Sequence, residues 1–196
     1  MTISDIAANP LIASTTATLA NGLELAVRPL LKSDKVRFGE FLSSLSPATN
    51  LLYQPHPLNI QAAHTICENL DYTAQLPFIA VTRAGYIVSY FLFDFTYSQH
   101  ESVRYQTYGI TLDPSLDCRF APVVADKYQG QGVGKTVFKG LLPILKKLPL
   151  RSLILSGGTQ EGNRQAINFY EKIGFRLMGE FDENNMRNYD MRLTLQ

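Results

Sequence analysis

Cysteine is almost missing from this chain. Cys67 and Cys118 are the only two among 196 residues, which makes neither a disulfide framework nor a metal-site spacing. An excess of one charge is missing as well. Eighteen Lys and Arg face 17 Asp and Glu, a formal net charge of +1, so nothing demands nucleic acid or an anionic membrane as the main partner. No Lys or Arg precedes Arg28, which argues against a secretory signal and an Arg-rich transit peptide. The longest strongly apolar run, around Tyr86–Phe93, is too short and too interrupted to span a bilayer. These absences predict a cytoplasmic protein. With 45% hydrophobic and 18% charged residues, the rest is enough for one globular domain with a full core.

Residues 1–21 are rich in Ala, Ser, Thr and Asn with poor periodicity and read as an arm, leaving 22–196 as the domain. Leu23–Pro29 alternates as a first strand. Ser33 can cap a helix carrying Phe38, Phe41, Leu42 and Leu45, which Ser46-Pro47 ends. A second helix follows Pro57, with Ile60, Ala63, His64, Cys67 and Leu70 on one side. There His64 reads as a core or cleft-wall residue and Cys67 as packing. Phe78–Thr82 and Tyr86–Phe95 form a hairpin across Arg83-Ala84-Gly85. Arg104–Leu112 reads as a further strand and Cys118–Ala125 as another. A helix runs through Leu145, with Pro143 expected to kink or shorten its last turns. Leu150–Ser156 is a buried-type strand broken by Gly157-Gly158. Asn163–Ile173 is a helix ended by Gly174, and Phe175–Phe181 with Asn188–Leu195 closes the chain as a hairpin. Strands alternating with helices around one mixed sheet give an α/β or α+β class.

The densest signal is Gln129-Gly130-Gln131-Gly132-Val133-Gly134. It follows an apolar strand and opens a helix, a junction whose free N–H groups and partial positive charge suit a phosphate or pyrophosphate. Gly134-Lys135-Thr136 looks like the end of a P-loop, but the glycine needed five places earlier is replaced by Gln129. The next strand, Leu153–Ser156, ends without a carboxylate for magnesium. A nucleotide-triphosphatase reading therefore fails.

Two separated pieces instead resemble the GNAT superfamily of N-acetyltransferases. Gln129-x-x-Gly132-x-Gly134 matches that family's Arg/Gln-x-x-Gly-x-Gly/Ala loop. Asn163-x-x-Ala166-Ile167-x-Phe169-Tyr170-Glu171-Lys172-x-Gly174-Phe175 is similar to its C-terminal helix and the strand entry after it. The resemblance covers roughly residues 118–180. It implies a single domain around a mixed, mostly antiparallel sheet of about seven strands, splayed at the fourth and fifth, with helices on both faces. It also implies acetyl-CoA as donor, with no metal and no covalent enzyme intermediate. The backbone of Pro122, Val123 and Val124 would pair with the pantetheine arm. The amides of Gly130, Gln131, Gly132, Val133, Gly134 and Lys135 would hold the pyrophosphate, with Gln129 in the motif and Asn163 as a cofactor contact or helix cap. Lys127, Lys135 and Lys139 are nearby cations. In such relatives a tyrosine at the place of Tyr170 protonates the departing thiolate.

The general base is less legible. Asp117 on the strand before the loop is one candidate and Glu161 a second; for both, a plain surface carboxylate is the alternative. Pro122 has no N–H for a sheet ladder, so it can mark the break that opens the slot. The amide polarising the acetyl carbonyl is then expected at Val123 or Val124. The expected reaction is direct acetyl transfer to an amine, small-molecule or peptide. The alternative is an acyl-CoA-binding module without catalysis. Tyr53 and His56 lie in the loop between the first two helices and are candidates to line the acceptor site. The closing hairpin offers an edge for a homodimer.

Overall fold

The computed structural model describes residues 1–53 and 55–195. Its centre is the hairpin of β3 (Gln75–Thr82) and β4 (Ile87–Asp94), joined where Gly85 takes a φ of 87°. Nearly every residue of both strands is buried, so both faces of the sheet need cover. On one face, α2 (Lys35–Ser43) and α4 (Ile60–Glu68) bury Phe38, Phe41, Leu42, Ala63 and Cys67 against Ile79, Val81, Tyr90 and Leu92. On the other, α6 (Val133–Leu145) packs Val137, Phe138, Leu141 and Leu145 against Phe78, Phe91, Phe93 and Phe120.

The strands follow the order β1 (Thr15–Thr18), β2 (Glu24–Pro29), β3, β4, β5 (Asp117–Val124), β6 (Ser152–Leu155) and β9 (Met186–Thr194). The short β7 (Thr159–Gln160) continues from β6 along the same edge of β9, and β8 (Arg176–Glu183) takes the opposite edge. Only β5 and β6 run parallel among the described residues. Among the described residues there are nine strands rather than about seven; β1 and β7 are the additions. The closing hairpin turns at Asn184 and Asn185, both at positive φ, which Asn tolerates.

Two segments depart from their sequence reading. Arg104–Leu112 is not a strand: α5 (Gln99–Thr107) covers Arg104, and the chain beyond it is irregular. Ser98 and Glu101 form a reciprocal capping box at its start. The helix then turns Arg104 onto the buried Asp190. Residues 1–21, read as an arm, carry α1 (Ile3–Ala8) and β1, which pairs with β2. Ile6, Ala13, Ala17 and Leu19 lie in the core. Pro143 leaves α6 intact through Leu145. No helix among the described residues is long and apolar enough to cross a membrane.

Candidate active site

β5 and β6 separate halfway along. Their register ends at Phe120↔Leu155, after which Ser156 donates one more N–H to the Phe120 carbonyl. β5 then stays with β4 through Val124, while Gly157 and Gly158, both at positive φ, turn the other chain away. A cleft of about 570 Å3 opens between the two. Its walls are Phe120–Val124, the loop at Gln129–Lys135, the Ser156–Thr159 turn, α7 (Arg164–Lys172) and the exit of α3 (Pro47–Leu52).

The β4–β5 register selects which main-chain groups face this opening. Ala125 donates to Val88, so the paired residues alternate down the ladder, and Val123 and Ala121 also point toward β4. Phe120, Pro122 and Val124 point the other way. The Phe120 carbonyl is taken by Ser156 and the Val124 carbonyl by the Gln129 side chain at 3.0 Å. The Val124 N–H and the Pro122 carbonyl are left toward the cleft. Pro122 therefore costs the sheet no hydrogen bond, because its missing N–H lies on the opened side. The ladder shows no bulge there.

The glycine loop forms one end of the cleft. Gly130 and Gly132 take φ values of 72° and 81°, and a Cβ at either would meet no atom within 4 Å. Open space and left-handed backbone together make a cradle. The N-cap position of α6 is Gly132, with no side-chain cap, so its first N–H groups remain free for an anion. Gly134 has a further reason: a Cβ would stand 3.1 Å from the Phe169 ring, so its absence lets α6 and α7 approach. Gln129 acts as a brace, reaching the Val124 carbonyl and the Thr49 hydroxyl. Asp126 adds a second brace, accepting from the Ser46 N–H at 2.9 Å and from the Ser46 and Thr49 hydroxyls. The glycine loop and α3 are thereby fastened together.

Tyr170 stands on α7 between Phe120, Phe169 and Phe175, whose ring centres lie 6.4, 5.2 and 5.4 Å away. Burial raises its pKa well above the usual phenol value, which keeps the hydroxyl protonated. Asn163 caps α7 through the Ala166 N–H at 3.1 Å and lines the same cleft. Of the residues expected from sequence, Pro122, Val123, Val124, Gln129, Gly130, Gly132, Val133, Gly134, Lys135, Asn163 and Tyr170 meet here.

Two do not. Gln131 is exposed, outside the lining, with its amide bonded to the Lys127 carbonyl. Asp117 is corrected more sharply. It begins β5, ahead of the splay, fully buried between Arg151, Arg192 and the Ser152 hydroxyl. Burial raises its pKa, but the Arg151, Ser152 and Asp113 hydrogen bonds outweigh that and hold it below the ordinary carboxylate value. Such a carboxylate is a structural ion-pair partner and a poor base. Glu161 is exposed and accepts from the Tyr189 hydroxyl at 2.9 Å. The Ser156–Thr159 lip was missed: Gly157-Gly158 read only as a strand break, although paired glycines at a strand end facing a glycine loop were the available signal.

At the exit of α3, Leu52, Tyr53 and Pro55 also line the cleft. The Tyr53 hydroxyl lies 3.4 Å from His56 Nε2, and the two rings pack edge-on at 5.2 Å. His56 Nδ1 donates to the Pro57 carbonyl at 2.9 Å.

A sequence profile of the acetyltransferase (GNAT) family matches residues 52–175. The chain belongs to that family. It is similar to the spermine/spermidine N(1)-acetyltransferase of Bacillus subtilis strain 168, 30% identical over 95 residues, 45% of this chain and 61% of that protein. The chain thus matches less than two thirds of that relative's length. Among solved structures, the GNAT domain of S. lividans PAT superposes with a TM-score of 0.71 at 18% identity, over 94% of this chain and 98% of the other. The putative acetyltransferase yncA from Salmonella typhimurium, solved with its cofactor acetyl-CoA, superposes at 0.64 and 13% identity, over 88% and 94%. At those identities the likeness concerns the fold, and it extends over the splayed sheet.

Proposed function

We propose that this protein moves an acetyl group from acetyl-CoA to a primary amine by direct attack. The observation that carries the reading is the splayed edge of β5, where the Val124 N–H points into a cleft shared by the glycine loop and Tyr170. The pantetheine arm would lie along this edge as an added strand, with its pyrophosphate at the free N–H groups of α6. The Val124 N–H is the donor aimed at the thioester carbonyl, where negative charge develops as the amine attacks. Tyr170, kept neutral by burial, would protonate the leaving sulfur. The reaction needs both donors held in place before it starts. The braces at Gln129 and Asp126 support that.

The relative's name includes spermine and spermidine, which carry several ammonium groups. No carboxylate lines this cleft among the described residues, whereas Lys135 and Lys172 do. A second ammonium would find no partner, so the acceptor read here is an amine with one positive centre and an apolar body against Leu52, Tyr53 and Pro55.

The missing carboxylate base also favours a second reading, an acyl-CoA-binding module without chemistry. Thiol release on mixing with acetyl-CoA and amines separates the two. Tyr170→Phe is expected to lower kcat on the order of 100-fold with little change in acetyl-CoA affinity. Unchanged turnover would remove Tyr170 from the mechanism. Gly132→Glu, which sets bulk and negative charge in the cradle, is expected to abolish coenzyme A binding in calorimetry under either reading.

A further inference from the structure

The attacking amine must lose a proton, and neither Asp117 nor Glu161 is placed to take it. We propose that the Tyr53 hydroxyl receives that proton and passes it to His56. The proposal rests on the acetyl-transfer reading above. Tyr53 and Tyr170 line the same cleft, Tyr53 from the exit of α3 and Tyr170 from α7. On the acetyl-transfer reading Tyr53 borders the space left for the amine, next to Leu52 and Pro55.

The geometry supplies direction. The Pro57 carbonyl can only accept, so His56 Nδ1 carries the proton and Nε2 presents a lone pair to the Tyr53 hydroxyl. At 3.4 Å this contact is long for a hydrogen bond, and such contacts tighten when substrate closes the site. The His56 ring is wedged between Tyr53 and Tyr90, whose centres lie 5.2 and 5.7 Å from it. The titratable groups facing it are those two phenols, one from the loop after α3 and one from β4, and both are neutral. Burial lowers the His56 pKa against the opposing Pro57 hydrogen bond, so the imidazole is uncharged and ready to accept at neutral pH. Burial raises that of Tyr53, with Tyr90, Tyr170 and Asp94 adding to it, so Tyr53 relays a proton and does not rest as phenolate.

The step balances. The amine nitrogen bonds to the thioester carbon, and the carbon–sulfur bond breaks. One N–H proton goes to Tyr53 Oη as the Tyr53 proton goes to His56 Nε2, giving an imidazolium. The sulfur takes the Tyr170 proton. The partly exposed His56 then releases its proton to solvent, from which Tyr170 is refilled. Tyr53 is the catalytic residue of the pair, and His56 positions and relieves it.

The test has a spectroscopic arm and a kinetic arm, both on the full chain. NMR titration with coenzyme A bound should show His56 as the Nδ1–H tautomer, titrating below the free value of 6.5. A His56 that titrates above that value, or carries its proton on Nε2, overturns the proposal. With 2-phenylethylamine, spermidine and an alanine-led peptide as acceptors, His56→Gln and Tyr53→Phe should each lower kcat about 100-fold at equal coenzyme A affinity. The acid limb of the wild-type kcat profile should vanish in His56→Gln. Transfer by the wild type with kcat and acid limb unchanged in His56→Gln overturns the relay alone. Coenzyme A binding with no thiol release to any of the three amines overturns the acetyltransferase reading and the relay together.

Discussion

Asp117 and Tyr170 show how one property, burial, assigns opposite tasks to two ionisable side chains. Tyr170 packs among three aromatic rings, and burial alone shifts it, so the proton stays. Asp117 is buried too, but two guanidinium groups and a hydroxyl surround it and the charge stays. Asp117→Asn would leave Arg151 and Arg192 facing each other without their counter-ion. We expect a loss of about 3 kcal/mol, the low end for breaking a buried pair because Arg151 is half in water. Urea unfolding would read it, and kcat per folded molecule should hold; a selective loss of kcat would return Asp117 to the mechanism. The pH dependence has a definite sign. The folded pKa lies below its unfolded value of 3.8, so this stabilisation is whole above that value and fades as pH drops through the folded one. Acid melting curves of the wild type should show that loss below about pH 4, and Asp117→Asn should lack it.

At the level of the element, the cleft exists because two parallel strands part company. The departure depends on Gly158. Its φ is 74°, and a Cβ there would stand 2.8 Å from Phe181 and 2.9 Å from the Tyr189 carbonyl. Gly158→Ala is expected to strain the turn by about 1–3 kcal/mol, roughly 2–12 °C in Tm for a domain of this size. Calorimetric melting measures it; an unchanged Tm would show that the lip tolerates a side chain. α5 teaches a different lesson. Ser98 and Glu101 are a capping box visible in the sequence, but the residues after them carry few apolar side chains to mark helical spacing. The helix is held by Glu101 on Arg119 and the Gly157 N–H, and by Arg104 on Asp190. Polar contacts between distant strands leave no periodic trace.

For the molecule as a whole, the sheet divides its two faces between different kinds of cover. One is apolar and continuous, from Ile6 and Ala13 through α6 to Tyr170. The other is apolar under α2 and α4, then ionic under α5, where Asp94, Arg119, Glu101, Arg104 and Asp190 meet. The N-terminal residues complete the first face, and β1 covers the free edge of β2. Removing residues 1–21 should therefore cost cooperative unfolding and solubility, because it strips core side chains and bares a strand edge at once. A truncated chain that melts sharply at the wild-type temperature would restore those residues to an appended arm.

Local chemistry was readable without coordinates wherever it rests on neighbours in the chain. The glycine cradle, the Asn163 cap, Tyr170 on its apolar stripe and the hairpins all depend on spacings of a few residues. What the linear order concealed were encounters over long separations. Which side of β5 faces the opening is set by its pairing with β4, and a shift of one residue would have reversed it. Asp117 is withdrawn from chemistry by arginines 34 and 75 positions away. Tyr53 comes to line the cleft because Asp126 ties α3 to a loop some 80 residues later. Packing makes those meetings, and side-chain type alone carries no record of them.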